Sequence, residues 1–285
     1  MMRAPDAYLS QSPANGAIDE LKTTLNVGSH NGITIKSERE LAHMREAGRV
    51  VAQTKAKLMD AIRPGLTTAE LDRLAEKQIR DMDATPSFKG YTAGGPTPFP
   101  ATICVSINEE IVHGIPGDRV LKEGDVVSID IGAVVGGLHA DSALTIGVGA
   151  ISADAQRLLD ATKESLETGI SRAKAGGRIG DISAAVQQYA EARGYGVVRQ
   201  YVGHGIGRAL HEEPQVPNYG TAGRGPALRA GMTLAIEPML NLGGWEAVQL
   251  DDGWTVVTAD GELSAHFEDT IAITSNGAEV LTALR

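Results

Sequence analysis

The sequence predicts an α+β fold made of two similar halves, and two observations support this prediction. Each half opens with apolar residues at helical spacing and continues with strand-like segments. Three short motifs of the first half also recur, in the same order, in the second half. Such a duplication predicts a pseudo-two-fold molecule. We expect residues 1–31 to be a flexible extension and residues 32–285 to form one domain, with halves at about 37–150 and 151–285.

Composition limits the functions that this chain can have. Its 285 residues, 42% of them hydrophobic, are enough for one large folded domain. A net charge of −10 without any basic block argues against nucleic-acid binding. No apolar run has membrane-spanning length, and the first residues lack the apolar core of a secretion signal. With Cys104 as the single cysteine, we expect a cytoplasmic protein without a disulfide or a cysteine zinc site.

The helices of both halves have recognisable beginnings. Ser37 and Thr67 each start a capping box, with a glutamate three residues later, and apolar residues follow at helical spacing. In the second half the spacing predicts a helix over about 153–174. We expect Asp181 to cap a further helix that extends to Ala192.

The segment Leu121–Gly147 predicts a β-hairpin that turns at Gly136–Gly137. With that turn, Ala143 faces Asp130 across the hairpin, and Asp141 lies two residues earlier on the same face. Diagonal neighbours of this kind have Cβ atoms roughly 7–8 Å apart, a distance that one or two metal ions could bridge. From this segment alone, two aspartates facing water at strand ends remain an equal alternative.

The repeat adds the other half of an acidic set. LKEGDVVSIDIG matches LRAGMTLAIEPM, HADSALTI matches HFEDTIAI, and HGIP matches HEEP. The matched residues are Asp130 with Glu237, Asp141 with Glu268, and His113 with His211. Four converging carboxylates cannot all stay ionised without cations, so we expect a metal pair as in two-metal hydrolytic sites. His204, flanked by glycines in YVGHGIG, is the candidate imidazole ligand; a structural histidine at a strand end is the alternative.

Three of the chain's few aromatic residues lie on one loop rich in glycine and proline. Phe88, Tyr91 and Phe99 fall within SFKGYTAGGPTPFP. Three large rings on one loop favour a pocket over a surface loop with stray aromatics.

At these motifs the sequence resembles the methionine aminopeptidases, in their short type I form. The resemblance covers about 33–285 and rests on SINEEIVHGIPG, SIDIG, LHADSA, YVGHGIGRALHEEPQVPNY, AIEPM, WTVVT and FEDTIAIT. Type I follows from spacing, because His211 and Glu237 are only 26 positions apart, which leaves no room for the type II insertion. The resemblance implies the pita-bread fold. The loop 92–98 is longer than the family usually has, and the 1–31 extension is additional.

The resemblance also implies roles for particular residues. The metal ligands, for two divalent ions (Co, Mn, Fe or Zn), would be Asp130, Asp141, His204, Glu237 and Glu268. The catalytic residues would be His113, His211 and Glu237, and both histidines would also contact substrate. The methionine pocket would consist of Phe88, Tyr91, Phe99, Cys104, Leu210 and Trp254. A sodium or potassium ion would lie near Asn108, Glu110 and Ser264.

The activity that the resemblance implies is removal of N-terminal methionine from nascent proteins whose second residue is small. The enzyme would act on chains at the ribosome and is expected to be a monomer. Two alternatives remain at this point. One is an Xaa-Pro aminopeptidase or prolidase of the same fold, against which the short chain argues. The other is a non-catalytic binding protein on this scaffold, which would be expected to lack some of the five ligands.

Overall fold

The computed structural model describes residues 32–92 and 97–283. The predicted extension 1–31 and the middle of the 92–98 loop therefore lie outside the described residues. Within the described ranges, none of the helices combines the length and the apolar character needed to cross a membrane.

Both halves consist of a helix pair followed by strands, as predicted. The helices are α1 (Glu38–Ala61), α2 (Thr68–Asp81), α3 (Ala153–Arg172) and α4 (Ile179–Glu191). The strands of the first half are β1 (Thr85–Pro86), β2 (Ile103–Ile107), β3 (Glu110–Val112), β4 (Val126–Val135) and β5 (Leu138–Gly147). Those of the second half are β6 (Gly196–Val197), β7 (Gly203–Gly205), β8 (Glu212–Val216), β9 (Thr233–Ile236), β10 (Met239–Asn241), β11 (Ala247–Gln249), β12 (Val256–Thr258), β13 (Ser264–His266), β14 (Asp269–Thr274) and β15 (Gly277–Val280).

The helix starts follow the predicted capping chemistry in the first half and differ in the second. Ser37 and Thr67 are the N-caps of α1 and α2, each within a complete capping box. The prediction that Asp181 is an N-cap was wrong, because α4 begins two residues earlier, after Arg178. Asp181 is instead the third helical residue. Its carboxylate accepts the backbone N–H of Arg178 at 2.8 Å, which is the reciprocal bond of a capping box.

The predicted hairpin is confirmed residue by residue. Asp130 pairs with Ala143, and Gly132 pairs with Asp141, between β4 and β5. The glycine pair at the turn has φ of 58° and 77°, the left-handed values that a two-residue hairpin turn requires. The turn therefore fixes the register that places both aspartates on one face.

The two carboxylate-bearing sheets meet at the centre of the molecule. In the first half β4 lies between β2 and β5, and in the second β9 lies between β7 and β14. The backbones of Ala143 and Glu268 exchange hydrogen bonds of 3.3 and 3.0 Å, which join β5 to the segment before β14. Each sheet buries an apolar cluster beneath its own helix pair, so that the polar faces of both sheets remain at this junction.

Candidate metal centre and active site

The candidate metal ligands of both halves converge at the junction of the sheets. Asp141, His204 and Glu268 are buried, and one potential ligand atom from each lies within 4.8 Å of the other two. Glu237 borders this group, with an oxygen 3.6 Å from His204 Nε2. Asp130 lies within hydrogen-bonding reach of the Asp141 carboxylate. The structure therefore brings all five predicted ligands together.

The electrostatics of these carboxylates are those of a cation site. Removal from water raises the pKa of Asp130 to about 7, and burial together with the neighbouring carboxylates raises the pKa of Asp141, Glu237 and Glu268 well above its usual range. One buried oxygen each of Asp130, Asp141 and Glu268 has no hydrogen-bond partner within the described part of the chain. Leaving buried oxygens unpaired is costly, and divalent cations satisfy such oxygens. The donor set of one imidazole and four carboxylates fits such ions.

Two hydroxyl side chains hold the ligand backbones in place across the junction. Thr270 Oγ1 accepts the N–H of Asp141 at 2.9 Å and donates to its carbonyl oxygen at 2.8 Å. Ser142 Oγ donates to the carbonyl oxygen of Glu268 at 2.6 Å. Each half therefore fixes a ligand of the other half, which couples the geometry of the centre to the packing of the two sheets.

The surroundings of His204 leave one ring nitrogen for the centre. His204 Nδ1 donates to the carbonyl oxygen of Gly205 at 2.9 Å, so Nε2 carries the lone pair that faces the carboxylates. Burial lowers the pKa of His204 to about 3, which keeps the ring neutral. A Cβ on Gly203 would lie 2.5 Å from Ala235 O, and one on Gly205 would lie 2.2 Å from Glu213 O. The flanking glycines thus allow the close strand approach that the sequence predicted.

The two candidate catalytic histidines line the same cavity as the metal ligands. His113 has φ of 61°, a left-handed conformation that is rare outside glycine and often found at functional sites. Its ring meets Tyr201 and Trp254 edge-on, at centroid distances of 5.5 and 6.2 Å. The ring of His211 lies 4.1 Å from that of His204. Burial lowers the pKa of both histidines, to about 4 for His113.

The loop that carries His211 is held by a buried ion pair. Lys36 Nζ contacts Glu212 Oε2 at 2.5 Å, and the side chains are 3% and 11% exposed. The other oxygen of Glu212 accepts the backbone N–H groups of Arg208 and Ala209 at 2.7 and 3.2 Å. Although burial raises it, hydrogen bonds from Lys36 and Thr34 hold the pKa of Glu212 below its usual value. The carboxylate next to His211 thereby fixes the backbone on which that histidine is presented.

An apolar pocket adjoins the acidic centre within a single cavity of about 400 Å³. The cavity is lined by both candidate catalytic histidines and all five metal ligands. It is also lined by all six predicted pocket residues, which are Phe88, Tyr91, Phe99, Cys104, Leu210 and Trp254. The rings of Phe99 and Trp254 pack edge-on at 5.1 Å, and burial raises the pKa of Cys104 well above its usual value, so its thiol stays neutral. The pocket is thus a neutral, apolar space that opens directly onto the carboxylates.

The two rings on either side of the 92–98 loop, Tyr91 and Phe99, both lie in the cavity. The backbone of Phe99 donates to Tyr91 O at 2.8 Å, and Gly90 donates to Phe99 O at 2.9 Å. Trp254 Nε1 donates to Thr97 O at 3.1 Å. These bonds close the base of the loop and hold both rings in place.

Three residues of the site were not predicted. Tyr201 and Gln249 line the cavity; Tyr201 opens the YVGHGIG motif but was given no role there, and Gln249 belongs to none of the motifs named above. His266 is buried with Nε2 at 3.8 Å from Glu237 and 3.9 Å from Glu268, and burial lowers its pKa to about 3. A signal for His266 did exist, since it lies two residues before Glu268 and thus on the same face of an extended segment.

The residues predicted to bind a monovalent ion do not line the cavity. The carbonyl oxygen of Asn108 accepts the backbone N–H of Ser264 at 2.9 Å, so these two are neighbours. Glu110 instead pairs with Arg119 at 2.6 Å and accepts the N–H of Ile107 at 2.8 Å. Its carboxylate is therefore engaged with other groups.

The fold and the acidic centre together define a metal-dependent peptidase, and comparison with known proteins agrees. The model of metallopeptidase family M24 matches residues 42–275. Methionine aminopeptidase 1 of Bacillus subtilis is 55% identical over 250 residues, which are 88% of this chain and 99% of that protein. The crystal structure of methionine aminopeptidase from Thermotoga maritima superposes with a TM-score of 0.86 at 47% identity, over 88% of this chain and 100% of that one. The chain belongs to metallopeptidase family M24 and, within it, to the type I methionine aminopeptidases.

More distant structures share the architecture. The prolidase from Pyrococcus furiosus superposes with a TM-score of 0.70 at 22% identity, over 88% of this chain and 66% of that one. At this identity the likeness shows a common fold. The predicted pita-bread fold is confirmed, and the high identity to methionine aminopeptidases favours that activity over the two alternatives.

Proposed function

We propose that this protein removes the N-terminal methionine from nascent polypeptides whose second residue is small. The observation that carries this proposal is the apolar pocket that opens onto the acidic centre within one cavity. A side chain seated in the pocket brings the first peptide bond of a chain to the carboxylates. The restriction to a small second residue is carried over from the resemblance to the type I methionine aminopeptidases.

The proposed cofactor is a pair of divalent ions. Their ligands would be Asp130, Asp141, His204, Glu237 and Glu268. When bound, the ions supply Lewis acidity and lower the pKa of water towards neutrality. The set of ligand types does not choose among Co, Mn, Fe and Zn. A sodium or potassium ion near Asn108, Glu110 and Ser264 is a separate proposal.

Three residues would carry the proton transfers and the charge. Glu237 would accept the proton of the attacking water, because cations would keep this buried carboxylate ionised. His211 would donate a hydrogen bond to the scissile carbonyl oxygen and stabilise the developing negative charge. His113, which lines the same cavity, would contact the scissile nitrogen and assist departure of the amine. Buried neutral rings suit both histidine roles.

Methionine would be selected by the shape of the pocket. Phe99 and Trp254 offer ring faces and edges, and thioether sulfur packs favourably against aromatic rings. An unbranched side chain also reaches further into a narrow pocket than a β-branched one. We further propose that the protein acts as a monomer in the cytoplasm, on chains as they leave the ribosome, where N-terminal methionine first becomes accessible.

A peptide panel tests the activity. After loading with Mn or Co, the protein is expected to release methionine from Met-Ala-Ser, to act poorly on a peptide with a bulky second residue, and to leave an Xaa-Pro peptide intact. Cleavage of the Xaa-Pro peptide alone, or no release by protein with a full metal content, would contradict the proposal.

The variant His211→Ala tests the mechanism. Its kcat is expected to fall by roughly 10²–10³ with an intact metal content, because one oxyanion contact is lost. His43→Ala, which removes a histidine of α1 outside the cavity, is the matched control and is expected to turn over normally. Equal activity of the two variants would remove His211 from the proposed role.

A further inference from the structure

The hydroxyl of Tyr91, whose ring lines the apolar pocket, is directed at a histidine. Tyr91 Oη lies 2.5 Å from His211 Nδ1, and the two rings are tilted by 35° at a centroid distance of 5.3 Å. Among the described residues, neither group makes another hydrogen bond. The imidazole Nδ1 is therefore satisfied by a single partner, and that partner is a phenol.

The chemistry of the two groups decides which one donates. A neutral imidazole has one protonated and one unprotonated nitrogen, and the unprotonated nitrogen is a stronger acceptor than a phenolic oxygen. Burial, and then the charge of Asp141, raise the pKa of Tyr91, so the hydroxyl keeps its proton. With Tyr91 as donor, Nδ1 of His211 is the acceptor and the ring proton must lie on Nε2.

The position of the Tyr91 ring is fixed by the loop that holds it. Its backbone N–H donates to Phe88 O at 2.9 Å, and its carbonyl oxygen accepts from Phe99 N at 2.8 Å. The hydroxyl is thus presented from a closed loop base of the first half to a histidine of the second half. On the other side, the Lys36–Glu212 pair fixes the backbone next to His211. Both partners of the hydrogen bond are held independently.

We propose that Tyr91 is a positioning residue for His211, whose tautomer it fixes with the proton on Nε2. This inference rests on the proposed function, in which His211 donates a hydrogen bond to the scissile carbonyl oxygen. The two ring nitrogens point in different directions, so the nitrogen that Tyr91 does not occupy is the one left for substrate. If the proton were on Nδ1, the ring would offer a lone pair to the developing oxyanion and would repel it.

Nuclear magnetic resonance reads the tautomer directly. Protein labelled with ¹⁵N-histidine and loaded with zinc is measured at pH 8, where an imidazole with an ordinary pKa is already neutral. His211→Ala identifies the signals among the 7 histidines. The expected result is a protonated Nε2 on His211 and a mixture of tautomers in Tyr91→Phe. A wild-type ring protonated on Nδ1, or an unchanged tautomer in Tyr91→Phe, would overturn the inference.

Enzyme kinetics separate the two roles of Tyr91, which are to position His211 and to line the pocket. Tyr91→Phe keeps the ring and removes one oxygen, so kcat is expected to fall at least about tenfold while KM and metal content stay close to wild type. Tyr219→Phe, whose ring packs under Arg199 outside the cavity, is the control and should match wild type. A Tyr91→Phe variant with wild-type kcat would overturn the inference. The spectra report the tautomer of His211 whatever His211→Ala does to turnover. A failure of the proposed function can therefore be told apart from a failure of this inference.

Discussion

The two halves present matched carboxylates from different local structures. Asp130 and Asp141 lie within β4 and β5, strands of 10 residues each that are joined by a two-glycine turn. Glu237 instead follows the end of β9, and Glu268 precedes the start of β14. Between them the chain leaves the sheet and forms β10 to β13, from which Gln249 and Trp254 reach the cavity. The duplication therefore provides the four carboxylates, and the segment inserted between Glu237 and Glu268 in the second half provides one wall of the pocket.

The halves also differ at the position of the imidazole ligand. Ser106 on β2 pairs with Ser128, and His204 on β7 pairs with Ala235, which is the repeat partner of Ser128. Ser106 and His204 each lie seven residues before the catalytic candidate histidine of their half. His204 therefore occupies the position of Ser106, and one substitution makes the two sides of the metal centre unequal.

The loops that present the two histidines are supported by different means. In the first half, Ser106 Oγ accepts the N–H of Gly114 at 3.1 Å, beside His113. In the second half that hydroxyl is replaced by a ligand, and the buried Lys36–Glu212 pair supports the loop. His204 thus supplies a metal ligand at the position where Ser106 supplies a structural hydrogen bond. Lys36, which follows the N-terminal extension, provides the support that the second loop lacks there.

The largest effect is expected from making the second half resemble the first. In His204→Ser the centre loses its imidazole, and we expect activity to fall at least about a hundredfold, since even groups that only support ligands contribute 10–100-fold. Metal content, measured by elemental analysis, should fall with it. Ser106→Ala, at the matching position, should retain its metal. Equal metal content in the two variants would contradict the assigned asymmetry.

Breaking the buried ion pair should have the next largest effect. Lys36→Met leaves Glu212 buried without its cation, and we expect the free energy of unfolding to drop by about 3–5 kcal/mol. Urea denaturation measures this change. Lys77→Met removes an exposed pair with Asp81 and should cost at most about 0.5 kcal/mol. If both variants lost a similar amount of free energy of unfolding, burial of the Lys36–Glu212 pair would not increase its contribution to stability.

The pH dependence of the metal-free protein tests the carboxylates of both halves together. Their folded-state pKa values are raised, to about 7 for Asp130, so the folded protein binds more protons than the unfolded chain. Stability should therefore fall as pH rises through the folded pKa, and Tm should be higher at pH 6.5 than at pH 8. The buried histidines have lowered pKa values and act in the opposite direction only below their unfolded pKa of about 6.5.

Saturating Mn provides the control for that experiment. Metal binding competes with protons for the same oxygens, so the loaded protein should lose or reverse the trend. A metal-free protein whose Tm rises between pH 6.5 and 8 would contradict the raised pKa values.

The smallest effect is expected at the turn that distinguishes the first hairpin. Gly137 has φ of 77° with no atom within 4 Å of an added Cβ, so Gly137→Ala should cost about 1–2 kcal/mol through backbone strain alone. Gly261, with the same φ in the second half, is the control and should cost a similar amount. Thermal unfolding measures both. A change in metal affinity in Gly137→Ala alone would show that the turn itself adjusts the ligands.

The parts of the site that could be predicted are those with a local or repeated signal. The register of Asp130 and Asp141 followed from the turn, because a two-residue turn sets the pairing of its strands. Glu237 and Glu268 have no hairpin between them, and the repeat supplied their prediction. The start of α4 was missed because an acidic residue at the third helical position resembles an N-cap in the sequence.

The sequence by itself determined the α+β duplication, the acidic set, the glycines around His204 and the aromatic loop. These features depend on spacing and residue type, which the chain carries locally. Only the tertiary structure decided that Lys36 supports the His211 loop, that His266 faces Glu237, and that the Tyr91 hydroxyl meets His211. Each of these contacts joins residues more than 25 positions apart in the chain. Such pairs are brought together by the packing of the halves, and no local pattern records them.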